Sequence, residues 1–382
     1  MSSRFYLDFN AHHPVAEEVR AAISELLGAG LANPSSVHAE GRRARRVLEE
    51  ARSRVARLIG GGPERVIFTS GGTEGNAAAL WGLLGRGPGP AGRRLVVSAV
   101  EHPSVFAMAR ELARLGAEVR IAPVDRDGVV DVTAMASLVA AGDVIAVQLA
   151  NSETGVMQPV ERVVDLARRV GAEVHCDAIQ AAGKVELRAA EWGVTSMAIA
   201  AHKFGGVPGA GALYTCPGAE LAPLIPGTQE GHRRGGTENL LAAVGMGVAA
   251  DLAASRRGGW ERVRALRDRL EEALLDPGCG IAVYGTAAAR LPNTSCLGLP
   301  EPLRGGSAVA ALDLAGFAVS SGSACSSGVE RGSPVVEAMG HGTEAAERSL
   351  RISLGGGVSE EAVDALAAAL RRLIERSRGG AR

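Results

Sequence analysis

Seven short, almost continuously apolar runs lie between residues 65 and 216, and longer helical patterns separate several of them. The runs are 65–70 (RVIFTS), 94–100 (RLVVSAV), 118–124 (EVRIAPV), 143–150 (DVIAVQLA), 173–178 (EVHCDA), 196–201 (SMAIAA) and 211–216 (GALYTC). A strand without apolar–polar alternation is covered on both faces, the condition of strands in a parallel sheet flanked by helices. Patterns at 75–85, 104–116 and 159–171 supply such helices. The alternation predicts an α/β fold, a large doubly wound domain with a mostly parallel sheet. After about residue 255 the texture changes. A long amphipathic pattern (260–275) is followed by strand-like stretches at 281–284, 294–298 and 317–320, then by a final helix over 359–378 with Ser359 as its N-cap. We read this as a smaller C-terminal α+β domain, with boundaries at 15–255 for the large domain and 1–14 plus 256–382 for the small one.

Of the 41 cationic residues only Lys184 and Lys203 are lysines. Chemistry that needs a side-chain primary amine therefore has two candidates. The net charge of −1 gives no electrostatic reason to expect a nucleic-acid or membrane partner. Cys176, Cys216, Cys279, Cys296 and Cys325 are irregularly spaced, with no CxxC pair, which argues against a disulfide framework and against a zinc site. The opening MSSRFYLDFN has no apolar stretch of the signal-peptide kind, and no apolar run reaches the roughly 18 residues of a membrane span. A reducing cytoplasm is the expected location.

Ligands of such sheets bind beyond the carboxyl ends of the strands, and polar clusters fall there. TSGGTEGN (69–76) leads from a strand through glycines into a helix whose free N–H groups suit a phosphate; a capped helix after a tight turn would read the same. In EVHCDAIQAAGK (173–184), Asp177 ends an apolar strand and Gln180 lies one turn on. A carboxylate there either caps the next helix or meets a cation, and a protonated pyridine nitrogen is one such cation. Lys203, in AAHKFGGVPGAGALY (200–214), follows a strand and precedes glycines, a setting for a Schiff-base lysine, whereas Lys184 reads as a strand-edge surface residue. His102, in EHPSV (101–105), ends another strand, where structural histidines are common too. QEGHRRGGTEN (229–239) is too polar for a core and suits a ligand contact or a subunit interface. Arg351 interrupts the apolar pattern of ERSLRISLGG (347–356); it is either a fork for a carboxylate or an exposed edge residue. SSGSACSSG (320–328) sets Cys325 among small polar residues, the surroundings of a reachable thiol. A phosphate cradle, a ring-nitrogen acid, an amine, an aromatic ring and a carboxylate fork are together what pyridoxal phosphate uses on an amino acid.

These segments resemble a known family. YLDFNAHHPV, NPSSVH, FTSGGTEGN, VEHPSV, HCDAIQAAGK, AHKFGGVPGAGALY, GTQEGHRRGGTEN and SSGSACSSG occur in order, and they are similar to the motifs of cysteine desulfurases of the NifS/IscS kind, in the class V aminotransferase group. The resemblance implies a fold-type-I pyridoxal 5'-phosphate enzyme, a homodimer, that takes sulfur from L-cysteine to give L-alanine and an enzyme persulfide for an acceptor protein such as an iron–sulfur scaffold. It implies Lys203 as the Schiff-base lysine, His102 as the histidine stacked on the cofactor, Asp177 at the ring nitrogen and Gln180 near the ring oxygen. Gly72, Thr73 and His202 match phosphate-side contacts, and Thr237 the threonine that reaches the phosphate from the partner subunit. Arg351 matches the arginine on the substrate carboxylate, with Asn33 nearby, and Cys325 the persulfide-forming nucleophile. Selenocysteine lyase, or another class V aminotransferase or lyase, shares much of this set.

Three departures stand out. NNETG is NSETG here, so Asn151 and Ser152 are both candidates for the cofactor contact. A serine common two residues before the histidine is Ala200. The NATTP motif reads NAHHP, with His12 and His13.

Overall fold

Every one of the seven apolar runs becomes a strand of a single sheet. The computed structural model describes residues 4–30, 32–87, 89–322 and 332–379. Its strands, in chain order, are β1 (Phe5–Tyr6), β2 (Val66–Thr69), β3 (Arg94–Ser98), β4 (Glu118–Ala122), β5 (Val144–Gln148), β6 (Glu173–Asp177), β7 (Ser196–Ala200), β8 (Gly211–Thr215), β9 (Ala282–Val283), β10 (Thr294–Gly298), β11 (Phe317–Ala318) and β12 (Ser349–Ser353). The large sheet has the order β2-β8-β7-β6-β5-β3-β4. β3, β4, β5, β6 and β7 pair in parallel, while β8 runs antiparallel to both β7 and β2. β2 therefore runs with β7, and every strand but β8 delivers its carboxyl end to the same edge. β5, β7 and β8 are buried along their whole length, which is why their sequences do not alternate.

A second core assembles Leu266, Leu270, Leu297, Ile352, Leu366 and Leu370 with Leu7 of the N-terminal segment. Its sheet, β12-β10-β9, is antiparallel. The final helix, Glu360–Gly379, starts beneath Ser359, whose hydroxyl accepts from Ala362 N–H at 3.2 Å. The N-terminal segment joins both cores. β1 pairs with β11, and Asp8 bridges to Ser353. Further along, the same segment is bonded to the turn that follows β7, with His13 N–H donating to His202 O and Ala16 N–H to Gly205 O, both at 2.9 Å.

Candidate active site

Asp177 ends β6 and is buried. One carboxylate oxygen accepts from Ile179 N–H (3.0 Å), and the other from Asn76 Nδ2 (2.7 Å). Asn76 Oδ1 in turn faces His175 Nε2 at 3.0 Å, and His175 Nδ1 faces the Ser196 hydroxyl at 3.0 Å. Because Asn76 Nδ2 donates to the carboxylate and to the Ser104 hydroxyl, its oxygen is the acceptor, so His175 carries its proton on Nε2 and accepts from Ser196 at Nδ1. Burial lowers the His175 pKa to about 3, so the ring is neutral. Four polar residues from three elements thus form one chain of donors that terminates on Asp177. Asn76 and His175 carry no sequence expectation of their own; the one available signal is a histidine inside an otherwise buried strand.

Lys203 lies in the single turn Ala201–Lys203 that follows β7. Its Nζ donates to the carbonyls of Asn10 (2.6 Å) and Ala11 (3.1 Å). The Asn10 carbonyl also accepts from Gln180 Nε2 at 2.7 Å. The Asn10 side chain is fully buried, donates to Ser152 O and Thr294 Oγ1, and accepts from Asn293 Nδ2. Asn10 thereby ties Lys203, Gln180 and the 152 loop to the second core, a role that its place in a loop segment does not announce.

The surface reading of Lys184 is wrong. The side chain is 5% exposed, and Nζ donates to Gln180 O at 2.9 Å and Oε1 at 3.4 Å. Gly183 turns the chain with φ +77° against Phe204, and Trp260 Nε1 closes the turn by donating to Gly183 O at 2.7 Å. Burial first, and then the Lys203 charge, lower the Lys184 pKa to about 7.

His102 caps the helix Pro103–Arg114. Its Nδ1 accepts from Ser104 N–H at 3.1 Å, so the neutral ring bears its proton on Nε2. Burial lowers its pKa; Asp177 opposes that shift and Lys203 reinforces it. Beside it, buried Glu101 accepts from Gln148 N–H at 2.7 Å, while its Oε2 has no partner among the described residues. Burial, then the Asp177 charge, raise its pKa well above the ordinary carboxyl range.

The NSETG loop separates its two candidates. Asn151 is buried and spent internally: Nδ2 donates to Val100 O (3.1 Å), and Oδ1 accepts from the amides of Glu153 (2.8 Å) and Thr154 (2.9 Å). Ser152 is half-buried, and its carbonyl receives Asn10 Nδ2 and Arg351 Nη1.

Arg351, in β12, is 4% exposed, which removes the reading of an exposed edge residue. Nη1 donates to Ser152 O at 3.1 Å and Nη2 to Asp8 Oδ1 at 2.7 Å, while Nε has no partner among the described residues. Below it, buried Glu153 accepts from the Ser333 hydroxyl, and burial pushes its pKa up to about 7.

Gly72 and Thr73 open the helix Gly72–Leu84 directly after β2, with no side-chain cap on the preceding Gly71. A Cβ on Gly72 would collide with Ile179 Cδ1, so the first turn sits against the loop that follows Asp177. His202 is half-buried, its pKa lowered to about 4 by burial and then by Lys203. Two expected residues stand apart. Thr237 is exposed in a cleft with Thr69, Ser70, Glu230 and Arg234. Asn33 is exposed in its loop and accepts from Ser35 N–H, and no hydrogen bond joins it to Arg351 among the described residues. Cys325 lies outside the described residues.

A family model described as Aminotransferase class-V matches residues 5–366. A "Cysteine desulfurase" of Cereibacter sphaeroides is 40% identical over 380 residues, covering 98% of this chain and 97% of that one. A "Cysteine desulfurase IscS" of Dictyoglomus turgidum is 36% identical over 385 residues, covering 99% and 96%. A solved structure titled "NIFS-LIKE PROTEIN" superposes with a TM-score of 0.90 at 29% identity, covering 97% of this chain and 99% of that one.

Proposed function

The chain belongs to the class-V aminotransferase family, and we propose that it is a cysteine desulfurase that works with pyridoxal 5'-phosphate, takes sulfur from L-cysteine, releases L-alanine and leaves a persulfide on Cys325. One conjunction carries the reading. An amine, a buried carboxylate and an imidazole share one electrostatic neighbourhood at the strand ends, joined through Asn10 to an arginine with an unpartnered N–H among the described residues.

The residues fit the cofactor. Lys203 supplies the amine for its aldehyde, Asp177 the acid partner of its ring nitrogen, and Gln180 an amide for its ring oxygen. The uncapped start of the helix at Gly72–Thr73, pressed against Ile179 where a side chain would not fit, suits the phosphate, with His202 beside it. Ser152 is the better candidate for the contact assigned to the NSETG loop, because the Asn151 amide is already spent. When bound, the cofactor supplies the electron sink that lets a proton leave the substrate's α-carbon.

The chain's own groups divide the remaining work. Arg351, through Nε, binds the substrate carboxylate. The Lys203 amine is the base for the α-proton. His102, with Nδ1 occupied by Ser104 N–H, presents an N–H at Nε2, which serves as a hydrogen-bond donor rather than as a base for a thiol. The Cys325 thiolate attacks the substrate sulfur. A sulfur–sulfur bond forms as the Cβ–S bond breaks, its electron pair stays with the three-carbon fragment, and that fragment takes one proton at Cβ and regains one at Cα to leave as L-alanine. The persulfide then passes to an acceptor protein, such as one that assembles iron–sulfur clusters.

We further propose a homodimer in the cytoplasm, with exposed Thr237 reaching the partner's site, and domains of residues 15–255 and 1–14 plus 256–382, a division the two cores support. No helix among the described residues is long and apolar enough to cross a membrane. Cys325→Ser should keep the yellow cofactor absorbance and lose sulfide release from L-cysteine. Full sulfide release in that variant would overturn the role of Cys325, and a wild-type protein with no cofactor band would overturn the reading as a whole.

A further inference from the structure

His12 stands where the sequence departs from NATTP, and nothing in the proposed division of labour uses it. The two residues before it, Asn10 and Ala11, hold Lys203 Nζ through their carbonyls. Its backbone is fixed on both sides: Tyr6 Oη donates to His12 O at 2.8 Å, and His12 N–H donates to Asp8 O at 3.3 Å. Its ring lies parallel to that of His202, with centroids 6.1 Å apart and 12° between planes. Neither ring nitrogen of His12 is hydrogen-bonded among the described residues, in contrast to His102.

Three imidazoles, those of His12, His102 and His202, feel the Lys203 charge. Of these His12 is the least buried. His202 is driven to about 4 and is a poor proton acceptor at neutral pH. The His12 pKa is lowered by burial first and by Lys203 second, so this ring is also neutral there, with an open lone pair. The charged and titratable groups that face it are Lys203, His202 and His13. The His13 ring is engaged elsewhere, with Nδ1 at 2.9 Å from Pro14 O and its edge against Phe9.

We propose that His12 is the proton relay between Lys203 and solvent. The Lys203 ammonium, loaded with the substrate's α-proton, gives a proton to the open nitrogen of His12; the imidazolium passes it to water, and the neutral amine and neutral ring are restored. No electrons move and no co-reactant is needed. The inference rests on Lys203 being the base in the proposed function.

Two experiments test it. In the cofactor-free full chain, histidine-selective NMR follows the His12 ring, assigned by its loss in His12→Thr. Its titration midpoint should move to higher pH in Lys203→Met, because a neighbouring cation is gone; an unmoved midpoint overturns the pairing. In the holoenzyme, exchange of the α-proton of L-alanine with heavy water should be slowed roughly tenfold or more in His12→Thr, and largely restored by added imidazole. His13→Thr should exchange at the wild-type rate. Threonine is the residue that the NATTP motif carries at this position, and His12→Gln serves as a second variant should the first fold poorly. Wild-type exchange in a folded His12 variant overturns the relay, as does an equal loss in His13→Thr or a loss that imidazole does not restore. A wild-type protein that holds no cofactor or forms no alanine sinks the proposed function instead, so the two failures are distinct.

Discussion

The Asp177 end and the Arg351 end of the site are built on opposite plans. Along the line that ends on Asp177 the polar groups are matched: Ser196, His175 and Asn76 each donate to the next, and the chain ends on the carboxylate. Around Arg351 the matching is incomplete. The Nε hydrogen has no partner among the described residues, and the carboxyl of Glu153 below titrates near 7. A saturated network resists change, because moving any member strands a buried polar group at a cost of about 1–3 kcal/mol. An unmatched buried donor is an invitation to something that comes and goes. The first end is suited to a group that stays, the second to a substrate that must leave.

The sharpest way to break this contrast is Asp177→Asn. The new amide sets a donor against either Asn76 Nδ2 or Ile179 N–H, so the mismatch propagates toward His175. Turnover should fall by roughly 100-fold or more, and the protein should lose pyridoxal phosphate on dialysis. Retention of the cofactor at wild-type strength, followed by absorbance, would show that this end does not do the holding. Arg351→Lys should lower kcat/KM for L-cysteine about tenfold, through KM, because lysine keeps the charge but not the planar fork. Cofactor affinity should be unchanged in that variant; a loss there would erase the distinction between the ends. The smallest effect concerns stability. Between pH 6.5 and about 3 the unfolded chain binds a proton at His175 that the native chain refuses. Native stability should therefore fall as the pH is lowered through that window, by at most about 1.4 kcal/mol per pH unit from this group. His175→Gln, compared by thermal melts at pH 7 and pH 5, should show a shallower loss than the wild type, and an equal loss would mean that the ring is not held neutral.

What the sequence reveals and what it hides follow from range. The seven strands are legible because a continuous apolar run of about four to eight residues is too short for an ordinary helix and too apolar for a loop. The site edge is legible because polar residues such as Asp177 and Lys203 end those runs. Lys184 misleads because its burial depends on a left-handed glycine at 183 and on Trp260, far along the chain. Asn10 escapes notice because an asparagine before a turn is ordinary in local terms; its partners lie 142 to 343 residues along the chain. Periodicity reports which face is buried, and it is silent on which distant group a polar side chain will meet.

Asn10 has a consequence for how the protein is made. Synthesis delivers it more than 280 residues before Asn293, Thr294 and Ser353, which complete its hydrogen bonds. A nascent chain can lay down the strands that end at Asp177 and Lys203 long before the seat beneath the reactive amine exists. The order of translation thus acts as a timer: a product that stops short of residue 293 carries Asp177 and Lys203 without the seat that aligns them.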